Sequence, residues 1–156
     1  RKKFVPQLEQ RYFRRNEGST DYATIPEVTL AGDFVIEFDL WVSGLGSTAG
    51  VIGKSTGSSS NFIAVLGVSG NIRIKVADGS SLTFTTLSVS VASKNTVRVS
   101  SVGDSITVTI NGASETLTGS GAGTAYDEIY SIGQSFNLQG ILANLKIYDA
   151  GTLVRD

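Results

Sequence analysis

The sequence contains no cysteine, no histidine and no methionine, and only two of its residues are proline. Without cysteine there is no disulfide staple and no thiolate nucleophile. Without histidine or cysteine the usual zinc sites are closed off, and so is acid–base catalysis through imidazole. A serine nucleophile would lack its customary base. A hard cation held by oxygen ligands, such as calcium, stays open. Missing thiols do not identify a compartment, because an extracellular domain with a large β core needs no staples. No apolar run approaches the length of a membrane span, so no membrane partner is expected. No charged-then-apolar signal segment opens the chain. The first residue is Arg1 and methionine is absent, which suggests a piece of something longer. No helix of ordinary length can be read, so no phosphate loop opening a helix is expected.

What is present is an ordinary globular composition, 40% apolar and 17% charged over 156 residues. That length suits one domain burying about two thirds of its unfolded surface. Eighteen glycines and abundant Ser and Thr suit an all-β domain with many short turns. Charge is unevenly spread. Residues 1–18 hold Arg1, Lys2, Lys3, Arg11, Arg14 and Arg15 against Glu9 and Glu17, and the rest is acidic. A basic arm can serve nucleic acid. Phe4, Val5, Leu8, Tyr12 and Phe13 in the same segment fit a strap docking on neighbouring subunits instead, and nucleic acid is not expected. The division is therefore an arm over 1–18 and a domain over 19–156.

The domain is organised around residues 61–81, which read as a β-hairpin followed by an Asp-Gly turn. Phe62, Ala64 and Leu66 alternate with Ile63 and Val65, and Ser69-Gly70 turns the chain. Ile72, Ile74 and Val76 then form a new row, with Arg73 and Lys75 on the opposite face. Asn61 and Asp78 return to one end. Before the hairpin, Tyr22 to Pro26 reads as a strand at an end or edge because of its proline. Phe34, Ile36, Phe38, Leu40 and Val42 form one face of the clearest strand, opposite Val35, Glu37, Asp39 and Trp41. Further strands are read at 50–54, 81–91, 96–101, 105–110, 114–118, 128–133 and 139–148, with a glycine-rich loop over 119–127. Asn111-Gly112 signals a type I′ hairpin. In an antiparallel sandwich successive turns fall at alternating ends. The loops at 55–60, 78–80, 103–105 and 119–127 should thus share one end, carrying Asn61, Asp78, Asp104 and Asp127.

The order of these pieces resembles the laminin-G-like, concanavalin A-like jelly roll, a β-sandwich of two antiparallel sheets. DYATIPEVTLAGDFVIEFDLWV is similar to that family's opening "Y-x-x-I-P" segment and "F-T-I-E-F-W-V" strand. VIGKSTGSSSNFIAVLGVSGNIRIKV resembles its central hairpin, and NTVRVSSVGDSITVTINGA the pair ending in an "N-G" turn. YSIGQSFNLQGILANLKIYD resembles the closing "I-G … F-x-G-x-I-x-N-v-x-I-Y" signature. The likeness covers roughly residues 20–150. The family's "W-H" is replaced by Lys94-Asn95-Thr96, and the loop after Ile132-Gly133 is short. Low charge and a Ser/Thr/Gly-rich surface resemble versions in tailed-phage and bacterial surface proteins.

Calcium-binding members use an acid opening the central hairpin, a carbonyl at its far end and a later loop. The resemblance implies Asn61, Asp78 and Asp127 for Ca²⁺, with Asn weakening the site by one charge; strand and turn capping is the alternative role. Glucanases of this class carry E-x-D-x-x-E on one strand. Here Glu37 and Asp39 are followed by Val42 where the second Glu belongs, so no enzyme is expected. Trp41 could stack on a sugar or pack. Candidate ligand contacts are Trp41, Arg73, Lys75 and Tyr126. The expectation is a non-catalytic attachment module of a virion or cell surface, binding a glycan or polysaccharide as a homo-oligomer. The alternative is a purely structural particle protein anchored by its arm.

Overall fold

The computed structural model describes residues 12–13, 23–46, 48–55, 61–129 and 140–156. Most of the 1–18 arm, Tyr22, the 56–60 loop and the 130–139 segment with Ile132-Gly133 lie outside the described residues. Thirteen strands follow one another: β1 Tyr12–Phe13, β2 Ala23–Thr29, β3 Phe34–Val42, β4 Ala49–Gly53, β5 Phe62–Val65, β6 Ile72–Lys75 and β7 Ser81–Phe84. Then come β8 Asn95–Val102, β9 Ser105–Ile110, β10 Ala113–Thr118, β11 Ala125–Ile129, β12 Gly140–Asp149 and β13 Thr152–Arg155.

They build two antiparallel sheets. The larger has seven strands in the order β1-β12-β3-β8-β9-β10, with β13 also on β12. The smaller has six, β2-β11-β4-β5-β6-β7. The chain crosses repeatedly between them, which is the jelly-roll arrangement. Pro26 sits on β2 at the sheet edge, where its missing N–H breaks no ladder.

Side-chain alternation sets the core. Phe34, Ile36, Phe38, Leu40 and Val42 of β3 are at most 2% exposed. Val97, Val99, Ile106 and Val108 join them and face Ile52, Ile63, Ile72, Ile74, Phe84 and Tyr126 of the smaller sheet. Truncating Phe38 to Ala would cost about 3–5 kcal/mol through lost burial and the cavity left behind.

The expected sharing of loop ends holds for the described loops; residues 56–60 lie outside them. The Asp33 carboxylate accepts from Gly103 N (2.9 Å), and Gly119 N donates to the Asp104 carbonyl (2.9 Å). Thr124 ties in both Leu30, whose N–H donates to its carbonyl, and Ala77, whose N–H donates to its hydroxyl.

Four elements differ from expectation, the first being β1, where Tyr12 and Phe13 of the expected arm pair with β12. The strand at 81–91 stops at Phe84, because 85–90 must cross from one sheet to the other. Its backbone is satisfied without a ladder: Asn71 Nδ2 donates to the Thr85 and Leu87 carbonyls, and Val89 N donates to Gly70 O. The strand expected at 128–133 begins at Ala125, inside the expected glycine-rich loop. A register shift between Tyr126 and Glu128 breaks the alternation that would have revealed it. Finally, Ala150 (φ 46°) and Gly151 (φ 79°) make a tight turn into β13, which was not expected at all.

Candidate functional site

The Asn61 end was the first place expected to carry chemistry. Asn61 Oδ1 accepts from Ala125 N at 2.9 Å, holding β5 to the start of β11. Asp127 accepts from Ser55 N (2.6 Å) and Ser55 Oγ (2.8 Å). The Lys54 ammonium lies 3.5 Å from Asp127 and also pairs with Glu27, which with Asp127 holds the lysine above its ordinary pKa. Asp78 closes its own turn, accepting from Ser80 N at 2.7 Å, and that bond holds its carboxyl below the usual range. Each of the three thus serves as a cap, and Asp127 already faces a cation. Among the described residues no group of three or more Asp, Glu, His or Cys comes together for a metal. The three candidate cation ligands are thus engaged by other partners in this structure.

The four candidate ligand contacts do not converge either. Arg73 and Lys75 stand half-buried on the outer face of the smaller sheet, as alternation required, with Arg73 Nε donating to Thr83 Oγ1 at 3.1 Å. Tyr126 corrects the expectation: it is fully buried in the core and offers no surface to a ligand. Its side chain belongs to the core cluster, and the register shift between Tyr126 and Glu128 lets Ile129 face inward as well.

Trp41 is different. It stands half-buried on the outer face of the larger sheet, one alternation step from Asp39, and other groups gather on that pair. The Lys94 Nζ lies 5.9 Å from the Trp41 ring centroid and 2.9 Å from Asp39 Oδ2. Asn144 Nδ2 donates to the same Oδ2 at 2.7 Å, while Thr96 Oγ1 stands 3.4 Å from Oδ1. Asp39 is only 7% exposed, so its charge needs these partners. Among the described residues Oδ1 has one long contact and keeps lone-pair capacity for a ligand donor. Next along the face, Arg98 pairs with Glu37 at 3.3 Å.

Local sequence explains each placement. β12 runs beside β3 with Ala143 opposite Asp39, then slips before Lys146 pairs with Glu37. The extra residues form a bulge in which Asn144 takes φ 53°, and this aims its amide at Asp39. Gly140 lets β12 begin so close to β3, since a Cβ there would lie 1.8 Å from the Trp41 carbonyl oxygen. Lys94 is delivered by a segment pinned at two points. Ala92 N donates to Val42 O, and the buried Asn95 amide donates to the carbonyls of Leu40, Ser90 and Ser93. Asn95 Oδ1 in turn accepts from Ser90 N at 2.8 Å. Lys94-Asn95-Thr96, noted in the sequence only as a departure, therefore borders the site.

Sequence reasoning missed Lys94, Thr96 and Asn144 as a group around Asp39. One signal was available: Leu142 and Ile147 both face inward although five residues apart, a parity break that requires a bulge between them.

No family model matches this sequence, and no curated protein matches it. Solved structures match in shape. A Ruminococcus gnavus IT-sialidase CBM40, solved bound to α2,3 sialyllactose, superposes with TM-score 0.58 at 12% identity, over 82% of this chain and 89% of that one. Domains LG4-5 of the mouse laminin α1 chain give TM-score 0.56 at 13% identity, over 88% of this chain and 43% of that one. The Caenorhabditis elegans galectin LEC-6 gives 0.52 at 12% identity, over 88% and 96%. The protein has the lectin-like, laminin-G-like jelly-roll fold.

Proposed function

We propose that this domain is a non-catalytic glycan-recognition module and that the glycan lies on the outer face of the larger sheet, against Trp41. The observation that carries this reading is the convergence of an accessible indole with a carboxylate, an ammonium and an amide. A pyranose presents an apolar C–H face that packs on an aromatic ring, and hydroxyls at its rim that need strong acceptors and donors. The sialyllactose-bound CBM40 domain is a precedent for sugar binding on this fold. The non-catalytic part rests on Val42, which is buried on the face opposite Glu37 and stands where the second glutamate of the glucanase E-x-D-x-x-E pattern would be. The reading extends to an attachment role in a cell-surface or virion assembly, with the part of residues 1–18 outside β1 joining neighbouring copies.

A glycan-array screen of the 156-residue chain tests it, run with and without chelator and repeated for Trp41→Ala. Specific binding that survives chelation and disappears in the variant is expected. No binding by the unmodified chain would favour the purely structural particle role.

A further inference from the structure

A second site lies between the sheets at the edge where β2 faces β12 and β13. A cavity of about 70 Å³ opens there, walled by Ile25, Ile129, Leu142, Ala143 and Leu145, with Arg155 and Asp156 completing it. Since about 10–15 Å³ of such space holds one water, there is room for a small organic group.

Arg155 is the unusual member. Its Nη2 donates to the Pro26 carbonyl at 3.1 Å, tying β13 of the larger sheet to β2 of the smaller. Its Nε is buried, and none of the described residues supplies it with a hydrogen-bond acceptor. No carboxylate forms an ion pair with the guanidinium among the described residues, although Asp156 also lines the cavity. A buried N–H without an acceptor is costly and uncommon. An ionised oxygen makes the strongest hydrogen bond a guanidinium can receive, and a carboxylate matches its planar geometry. Five apolar walls disfavour a fully hydrated inorganic anion and suit an apolar body attached to the charge.

We propose that this cavity binds a small organic carboxylate, its oxygens on the Arg155 guanidinium and its apolar body against Leu142, Leu145 and Ile129. The site is separate from the Trp41 face, although Leu145 belongs to the same β12 bulge as Asn144.

Methyl-resolved NMR titration of the 156-residue chain tests this, with isobutyrate, with its neutral isostere isobutyramide, and with sodium chloride at matched ionic strength. Saturable shifts confined to the methyls of Ile25, Ile129, Leu142 and Leu145 are expected with isobutyrate. They should be roughly tenfold or more weaker with isobutyramide, as loss of a charged partner requires, and absent with chloride. Arg155→Gln should abolish them. Leu145→Phe fills the cavity but keeps the arginine, and it should abolish them too. Equal shifts with the amide, shifts that persist in both variants, or no shifts in the unmodified chain would each overturn the proposal.

Discussion

The two outer faces of the sandwich obey the same alternation rule and end up chemically different. On the smaller sheet, Arg73 and Lys75 project between inward isoleucines and flank Phe62 and Ala64, which are buried on that face as a small cluster of their own. Their polar groups are spread along one regular ladder. On the larger sheet, Trp41, Asp39 and Glu37 also occupy regular outward positions, with Thr107–Thr116 and Thr109–Ser114 hydroxyl pairs further across. There, however, a bulge in β12 and a pinned segment before β8 bring Asn144 and Lys94 onto one carboxylate. Regular strands distribute polar groups, and irregular backbone makes them converge. That is why the larger sheet's face, rather than the smaller sheet's, is the better candidate for recognition.

The sharpest way to break this contrast is to truncate matched residues on both faces. Trp41→Ala should weaken glycan affinity by roughly 10- to 100-fold, equivalent to about 1.5–3 kcal/mol of lost aromatic burial. Arg73→Ala and Lys75→Ala should change it by about twofold or less, within the range usual for surface substitutions. Calorimetric titration against the best array ligand measures both. Equal losses on the two faces would remove the distinction.

Replacing Asn144 separates the bulge from the side chain it carries. Asn144→Gly keeps the left-handed backbone but loses the amide on Asp39, so affinity should fall about tenfold. Asn144→Ala should lose the same affinity and, in addition, about 1 kcal/mol of stability from alanine at φ 53°. Denaturant melts of the two variants check the second effect independently of any ligand.

Between the faces, Tyr126 supplies a smaller and purely thermodynamic test. Its hydroxyl is buried with no partner among the described residues, so Tyr126→Phe should gain about 1 kcal/mol. Burial also pushes the phenol well above its ordinary pKa. Stability is therefore full below the unfolded phenol's value of about 10 and declines as pH rises beyond it, because only the unfolded chain releases the proton. The phenylalanine variant should lose that alkaline decline while glycan affinity is unchanged. The smallest effect concerns calcium: chelation should leave glycan affinity and melting temperature unaltered, since Asp127 serves Ser55 and Lys54.

Much of this molecule was legible in its residues. Period-2 apolar rows located β3, β5, β6, β8 and β9, because one face of each strand must be buried and the pleat leaves no other choice. Turn parity placed the Asn61, Asp104 and Asp127 loops at one end, since antiparallel pairing reverses direction at every turn. Absence of histidine and cysteine argued by composition against imidazole and thiolate chemistry, and Val42 stood where the glucanase pattern needs a glutamate. Residue order could not reveal where alternation fails. The shift at Asp127 put Tyr126 in the core, and the bulge after Ala143 turned Asn144 toward a strand more than a hundred residues away. Tertiary structure also decided that Arg155 reaches across to Pro26 and leaves a donor in a cavity of mixed polar and apolar lining. Periodicity is a local property and can be counted along the chain. Convergence depends on which strands become neighbours, and only the folded sheets determine that.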